Sequence, residues 1–286
     1  MSEHPITHPP YRLLMLDIDG TLLNEQGEIT LRTRRAVQAA AAAGVLVTLA
    51  TARRYGSAAR FAADLALNAP LATYDGALIR EYPSGEIWHI DPLPASLGQA
   101  AVDAIARHGL QPVVQQMLPD GERMLSGPES ADTPWVTTYF STFSGQLERR
   151  PHTELCAGDI DPLRVVAFGP EEQLEPIAAE LRPLPCGLYL NPRGSYDSAE
   201  LSIMSPTVSK GNALSVLSSR LQLSISETMA IGDSFNDLSM LSQAGLGIAM
   251  GQAPPEVRAA ARALTLSNSA DGVAAAIERY LLNSAR

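Results

Sequence analysis

The stretch Leu-Leu-Met-Leu-Asp-Ile-Asp-Gly-Thr-Leu-Leu, residues 13–23, constrains the fold more than any other part of the chain. Leu13 to Leu16 is an apolar run too short for a helix, and Gly20 stops it, so it reads as a strand buried on both faces. Asp17 and Asp19 follow at its end. In extended chain two residues at this spacing lean to one face, and Gly20 permits the sharp turn away. Neighbouring carboxylates repel each other unless a cation or a shared proton compensates. A plainer reading stands beside this one, because Asp-Gly is a common turn pair and Asp19 suits a turn or helix cap. A calcium-binding loop is not an alternative. That loop needs a third ligand before its Gly, whereas Gly20 follows Asp19 directly.

The chain has 286 residues, 45% of them apolar, enough for one large or two ordinary domains with real cores. A net charge of −10 argues against a general nucleic-acid binder, which needs a basic stripe to displace counterions. The first twelve residues lack the apolar core of a secretory signal, and no window is apolar enough to span a bilayer, so a cytoplasmic protein without a membrane partner is expected. Cys156 and Cys186 show neither metal spacing nor a disulfide framework and read as buried thiols. The histidines, His4, His8, His89, His108 and His152, show no metal spacing either. One oddity remains: Lys210 is the single lysine among 21 basic residues.

A helix is predicted from Thr30, a suitable cap, to Gly44, a suitable terminator. A strand over Val45 to Ala50 runs into Thr51-Ala52-Arg53-Arg54, a helix follows to Leu65, and a third strand from Leu71 closes on Tyr74-Asp75-Gly76. This alternation is the rhythm of a parallel sheet with helices on its faces, in which ligands sit at the carboxyl ends of strands. Asp17, Asp19, Thr51 and Asp75 all fall at such ends. The rhythm breaks after about Pro83. A strand over Glu86 to Ile90, a helix over Pro94 to His108, a strand over Leu163 to Phe168, a helix over Glu171 to Leu181 and a strand over Gly187 to Leu190 suggest a smaller inserted α/β domain. Residues 111–155, rich in Pro, Gly, Ser and Thr, give no clear pattern. From about Glu200 the first rhythm returns: a helix from Ser209 to Leu221, a strand over Thr228 to Ile231, a helix through Ala244, strands at Leu246 to Met250 and Ala263 to Leu266, and a last helix over Asp271 to Leu282.

Asp233 ends a strand as Asp17 does, and Asp237 lies four residues on. Either acid alone is explained by the positive end of a helix. The pair is harder to explain, since like charges at this spacing oppose each other unless a cation or Lys210 offsets them. Lys210 poses the converse problem: a cation in the first helical turn wants an anion nearby. Thr51 alone reads equally well as a helix cap. Taken together, Asp-x-Asp-Gly-Thr, the Thr after the second strand, the Lys opening a later helix and Gly-Asp-x-x-Asn-Asp resemble the haloacid dehalogenase (HAD) superfamily. The inserted domain, Gly-Ile-Ala-Met-Gly and Ala-Asp-Gly-Val resemble its Cof-like phosphatases with a type IIB cap. The resemblance covers residues 11–84 and 195–283; for the cap it rests on position and size.

This resemblance implies an α/β fold: a Rossmann-like parallel-sheet core in two parts, residues 1–84 and 195–286, with a smaller α/β cap at 85–194. It further implies a Mg²⁺-dependent phosphatase acting on a small phosphorylated metabolite, a sugar phosphate or phosphorylated cofactor. Asp17 would be the nucleophile and Asp19 the general acid and base. Asp17, the main-chain carbonyl of Asp19 and Asp233 would hold the metal, with Asn236 and Asp237 supporting. Thr51 and Lys210 would bind the phosphoryl oxygens. Arg53, Tyr55, Asp75 and Asn191 are further candidates for substrate contact, although surface solvation is the better explanation for Arg53, Tyr55 and Asn191. The chain departs from the family pattern at Ala52, usually Gly; at Asp75, often Asn; and at Gln252, usually Asn. A phosphotransferase or mutase would use the same residues, and a non-catalytic receiver-like switch also combines acids, Thr, Lys and Mg²⁺. The inserted domain disfavours the switch. Oligomeric state is not legible.

Overall fold

The computed structural model describes residues 10–67, 69–158, 160–192 and 197–282. His4 and His8 lie outside them. In chain order the elements are β1 (Leu13–Leu16), α1 (Leu31–Ala42), β2 (Leu46–Leu49), α2 (Tyr55–Leu65), β3 (Leu71–Thr73), β4 (Leu78–Arg80), β5 (Ile87–Ile90), α3 (Ala95–Arg107), β6 (Val113–Leu118), β7 (Gly121–Ser126), α4 (Pro134–Ser141) and β8 (Gln146–Arg149). They continue with β9 (Arg164–Gly169), α5 (Glu171–Leu181), β10 (Gly187–Asn191), β11 (Ala199–Met204), α6 (Lys210–Arg220), β12 (Thr228–Gly232), α7 (Leu238–Gln243), β13 (Leu246–Ala249), α8 (Pro255–Ala260), β14 (Ala263–Leu264) and α9 (Gly272–Ile277). They form two compact units. One runs up to His89 and resumes at Ser209; the other spans Ile90–Val208.

The first unit is built on a parallel sheet in the order β14-β13-β12-β1-β2. Its central strand explains the apolar run at the start of the chain. Leu14 and Leu16 point to one face, into a core with Ala36 and Val37 of α1, Ala58 and Ala62 of α2 and Val273 and Ile277 of α9. Leu13 and Met15 point to the other, against Ala213, Leu214 and Leu217 of α6, Met240 and Leu241 of α7 and Val257 of α8. All four are fully buried, each contributing about 1.5–3 kcal/mol of transfer free energy. Thr30 caps α1 by accepting from Thr33 N at 3.1 Å, and Gly44 follows it at φ 88°. Ser209 caps α6 in the same way, through Asn212 N at 3.0 Å.

The third predicted strand is a correction. β3 joins the parallel sheet only through one bridge, Ala50 to Ala72, and otherwise pairs antiparallel with β4 in a separate three-stranded sheet. Its three residues leave room for little more before the chain turns at Tyr74 and Asp75, both at positive φ. The predicted helix through Ala244 divides into a tight turn, Phe235–Asp237, and α7. Helix α8 was not read from the sequence, because Pro254 and Pro255 resemble loop; they start it instead.

The second unit has a sheet in the order β10-β11-β9-β6-β7-β8, antiparallel except for the β7–β8 pair. Helices α3 and α5 cover one face, with Val102, Ile105, Leu174 and Ile177 against Val114, Val165, Leu201 and Ile203. Helix α4 covers part of the other, where Val136 and Tyr139 meet Val113, Met124, Val166 and Phe168. The unread residues 111–155 therefore hold β6, β7, α4 and β8. Polar residues on the sheet face disguise them: Gln115 and Gln116 are buried in β6, and Gln115 accepts from buried Arg164 at 2.9 Å.

Candidate active site

Three neighbouring strands deliver the site. β1 ends on Asp17, β2 leads into Thr51, and β12 ends at Gly232 before Asp233. Asp17 is 4% exposed, and its Oδ1 accepts from Lys210 Nζ at 2.6 Å. The same ammonium donates to Asp237 Oδ1 at 2.6 Å. Lys210, at the first position of α6, is 1% exposed and thus bridges two buried carboxylates. Burial alone would lower its pKa, but Asp17 and Asp237, with Asp75 behind them, hold it above the ordinary lysine range.

Asp17, Asp233 and Asp237 each present a carboxylate oxygen such that the three lie within 4.8 Å of one another. Their lone pairs are not equally available. Asp237 is spoken for on both sides: Oδ2 accepts Asp233 N and Ser234 N, each at 2.9 Å, and Oδ1 accepts Lys210. Asp233 Oδ1 accepts from Thr21 Oγ1 at 2.7 Å. Among the described residues, Asp17 Oδ2 and Asp233 Oδ2 have no hydrogen-bond partner, so these two oxygens are the free donors of the cluster. Burial is the largest influence on Asp17, and together with Asp237, Asp233 and Asp19 it outweighs Lys210 and raises the carboxyl well above its usual range. Burial and then the charge of Asp237 push Asp233 up to about 6. Crowded acids of this kind suit a divalent cation.

Gly20 makes the crowding possible. It turns at φ 78°, and a Cβ there would stand 2.4 Å from Asp233 Oδ2. Asp19, on the same turn, is not one of the three clustered acids, and its carboxylate is held by both Arg53 Nε at 2.7 Å and Arg53 Nη2 at 2.6 Å. The Arg53 guanidinium also donates to Ser57 Oγ at 3.2 Å and lies 5.2 Å from the Phe61 ring centroid. Thr51 is 1% exposed, and its Oγ1 accepts from Arg53 N at 3.1 Å, which leaves the hydroxyl proton to donate elsewhere. Ala52 is not among the residues at positive φ, so the methyl group in place of the family's glycine carries no backbone strain. Asp75 is at φ 55° and 3% exposed, with its N–H on Thr51 O at 2.9 Å and its Oδ1 accepting from Asn236 Nδ2 at 2.8 Å.

Of the residues proposed from the sequence, this unit therefore brings together Asp17, Asp19, Thr51, Arg53, Asp75, Lys210, Asp233, Asn236 and Asp237. Tyr55 instead donates its hydroxyl to Glu81 O at 3.1 Å and carries Arg80 over its ring, 4.4 Å from the centroid. Asn191 belongs to the other unit, at the end of β10. Three contributors have no role assigned from the sequence, Gln252 being noted there only as a departure from the family pattern. Thr21 holds Asp233. Gln252 Nε2 donates to Gly20 O at 2.6 Å, bracing the acidic turn. Asn268 supports both, giving its N–H to Gln252 Oε1 at 3.1 Å and its Nδ2 to Leu23 O at 2.9 Å. Thr21 sits inside the Asp-x-Asp-Gly-Thr motif, which was the available signal; Asn268 has none. Cys156 and Cys186 are free, burial pushes the Cys156 thiol up to about 12, and no helix among the described residues is long and apolar enough to cross a membrane.

Known proteins are similar to this chain over nearly its whole length. The family model for haloacid dehalogenase-like hydrolases matches residues 14–277. YxeH of Bacillus subtilis (strain 168), which bears a phosphatase name, is 32% identical over 276 residues, covering 95% of this chain and 99% of YxeH. The 5-amino-6-(5-phospho-D-ribitylamino)uracil phosphatase YcsE of the same organism is 27% identical over 279 residues, covering 95% and 96%. The solved structure of a HAD subclass IIB sugar phosphatase has the same fold, with a TM-score of 0.77 at 23% identity over 94% of this chain and 98% of that one. With acids, threonine and lysine gathered at the strand ends and a family match spanning both units, this chain belongs to the haloacid dehalogenase-like hydrolases, as a phosphatase of the Cof-like type.

Proposed function

We propose that the protein is a cytoplasmic, Mg²⁺-dependent phosphomonoesterase that hydrolyses a small phosphorylated metabolite, a sugar phosphate or phosphorylated cofactor, through an aspartyl-phosphate on Asp17. One observation carries the reading: Lys210, the chain's single lysine, is buried between Asp17 and Asp237, beside an acid cluster that retains two free carboxylate oxygens. A structural ion pair needs no such surplus of negative charge.

The donor set suits magnesium, which takes few carboxylates and keeps substrate oxygens and waters. Asp17, Asp233 and the carbonyl of Asp19 would hold it, and bound there it supplies electrostatic stabilisation to the transferring phosphoryl group. The chain's own residues do the rest. One carboxylate oxygen of Asp17 attacks phosphorus, an Asp17 O–P bond forms, and the ester P–O bond breaks. Asp19 gives its proton to the departing alkoxide. In the second half Asp19 takes a proton from water as that water attacks phosphorus, which releases inorganic phosphate and restores Asp17. The Lys210 ammonium and Thr51 hydroxyl donate to the non-bridging oxygens, where charge is greatest in a loose transition state. Arg53 fixes the plane of the Asp19 carboxylate through its two-pronged contact.

The test is release of inorganic phosphate from a panel of phosphorylated sugars, nucleotides and cofactors, with Mg²⁺ and with EDTA, for wild type and Asp17→Asn. Metal-dependent release lost in the variant supports the reading. Release that survives Asp17→Asn refutes it.

A further inference from the structure

Asp75 has no part in the chemistry just described, yet it is wedged among the residues that perform it. Its N–H is on Thr51 O at 2.9 Å and its Oδ1 on Asn236 Nδ2 at 2.8 Å. Its charge is also felt by Lys210. The turn that carries it is built against the start of α6: a Cβ on Gly76 would lie 2.7 Å from Ser209 O. Asp75 is not in the cluster of acids whose oxygens converge within 4.8 Å, so it is not placed as a fourth ligand. Its left-handed backbone does not call for an acid, since asparagine adopts φ 55° at least as readily. Among the described residues Oδ2 has no hydrogen-bond partner.

A buried carboxylate at this point is unfavourable to negative charge beyond that of the phosphoryl group itself, because the nearby Lys210 ammonium is already shared between Asp17 and Asp237. What it favours is a hydrogen-bond donor, to which a carboxylate binds about twice as strongly as a neutral acceptor does. What it disfavours is a second negative charge close to the phosphoester. Arg53, two residues after Thr51, is held by Asp19.

We propose that Asp75 is a specificity-determining residue, selecting phosphate esters whose leaving group is an uncharged polyol with a hydroxyl near the phosphoester and rejecting those that carry a carboxylate or second phosphate. This rests on the phosphomonoesterase reading. It names a substrate class: monophosphates of sugars, alditols and glycerol-like alcohols, not phosphorylated acids or bisphosphates.

The experiment measures kcat/KM for sn-glycerol 3-phosphate and for 3-phosphoglycerate, which share a carbon skeleton and differ in a terminal hydroxymethyl against a carboxylate. p-Nitrophenyl phosphate serves as a probe without a donor. Wild type should prefer the glycerol ester by about a hundredfold, and Asp75→Asn should narrow that ratio about tenfold, chiefly by lowering KM for the acid. Asn236→Ala, which removes the Asp75 partner but keeps the charge, should leave the ratio near the wild-type value while slowing both substrates alike. A wild type that hydrolyses the carboxylate ester as well as the glycerol ester overturns the inference without any variant. So does an Asp75→Asn enzyme in which both substrates fall equally, the mark of a bracing role. Turnover of p-nitrophenyl phosphate by wild type but not by Asp17→Asn separates these outcomes from failure of the underlying reading: without it, both fall together.

Discussion

Replacing Asp233 with asparagine should stabilise the metal-free protein at neutral pH while destroying its response to divalent cations. Asp233 is half-buried beside Asp237, and its carboxyl is pushed up to about 6 from an ordinary 3.8. A raised carboxyl binds its proton more tightly in the folded chain than in the unfolded one. Its contribution is therefore intact below the unfolded value and is lost as pH rises from about 3.8 through about 6. The shift of about two units corresponds to about 3 kcal/mol at pH 7, and partial solvent access reduces this to about 2 kcal/mol. Asparagine carries no charge and still offers an oxygen to Thr21. In EDTA, the unfolding free energy of Asp233→Asn in urea should exceed that of wild type by about 2 kcal/mol at pH 7 and by much less at pH 4. Saturating Mg²⁺ should stabilise wild type, by about 2.7 kcal/mol at a hundredfold excess over Kd, and the variant scarcely at all. A variant no more stable than wild type at pH 7, or a gain that does not change with pH, would refute the electrostatic account of the cluster.

Other perturbations follow from the same geometry. Lys210→Met leaves Asp17 and Asp237 buried without their shared cation; it should cost about 3–5 kcal/mol in denaturant unfolding at pH 7 and abolish phosphate release even where the protein stays folded. Gly20→Ala puts a methyl group 2.4 Å from Asp233 Oδ2 at a left-handed φ, so Mg²⁺ affinity, read from the metal-induced rise in Tm, should fall at least about tenfold. In the other unit, burial raises the Asp132 carboxyl, but Arg149 and then Gln111 outweigh it and hold the group below its ordinary value. That stability is present above about pH 3.8 and is lost as pH falls through the lowered value, so Arg149→Met should flatten the acid limb of the unfolding curve between pH 5 and pH 2.

The legible parts of this chain are those in which one interaction dominates a residue. Leu13–Leu16 could be read because a strand buried on both faces has no polar position to interrupt it, and α1 because its cap and its terminating glycine agree with its alanines. β6 could not be read, since Gln115 and Gln116 are buried by long-range partners, Arg164 and the Ile160 carbonyl, that nothing local announces. β3 looked like a third parallel strand because its apolar sequence says nothing about which neighbour it pairs with. At the site, the lone lysine and the paired acids stood out because each is costly without the other. The Arg53 fork on Asp19 and the Gln252–Asn268 brace were hidden, since an arginine or an amide on a loop is usually solvated and only the fold reveals what it reaches.

Turnover by the proposed route requires phosphoryl transfer to Asp17, with Asp19 needed to release it. The most direct measurement is an acid quench of Asp19→Asn after mixing with Mg²⁺ and p-nitrophenyl phosphate, whose leaving group departs without protonation, followed by peptide mass mapping. One phosphoryl group on the peptide containing Asp17, formed with a burst of nitrophenolate and absent from Asp17→Asn, is the predicted result. Steady phosphate release with no burst and no modified peptide, from a variant that binds the metal, would contradict it.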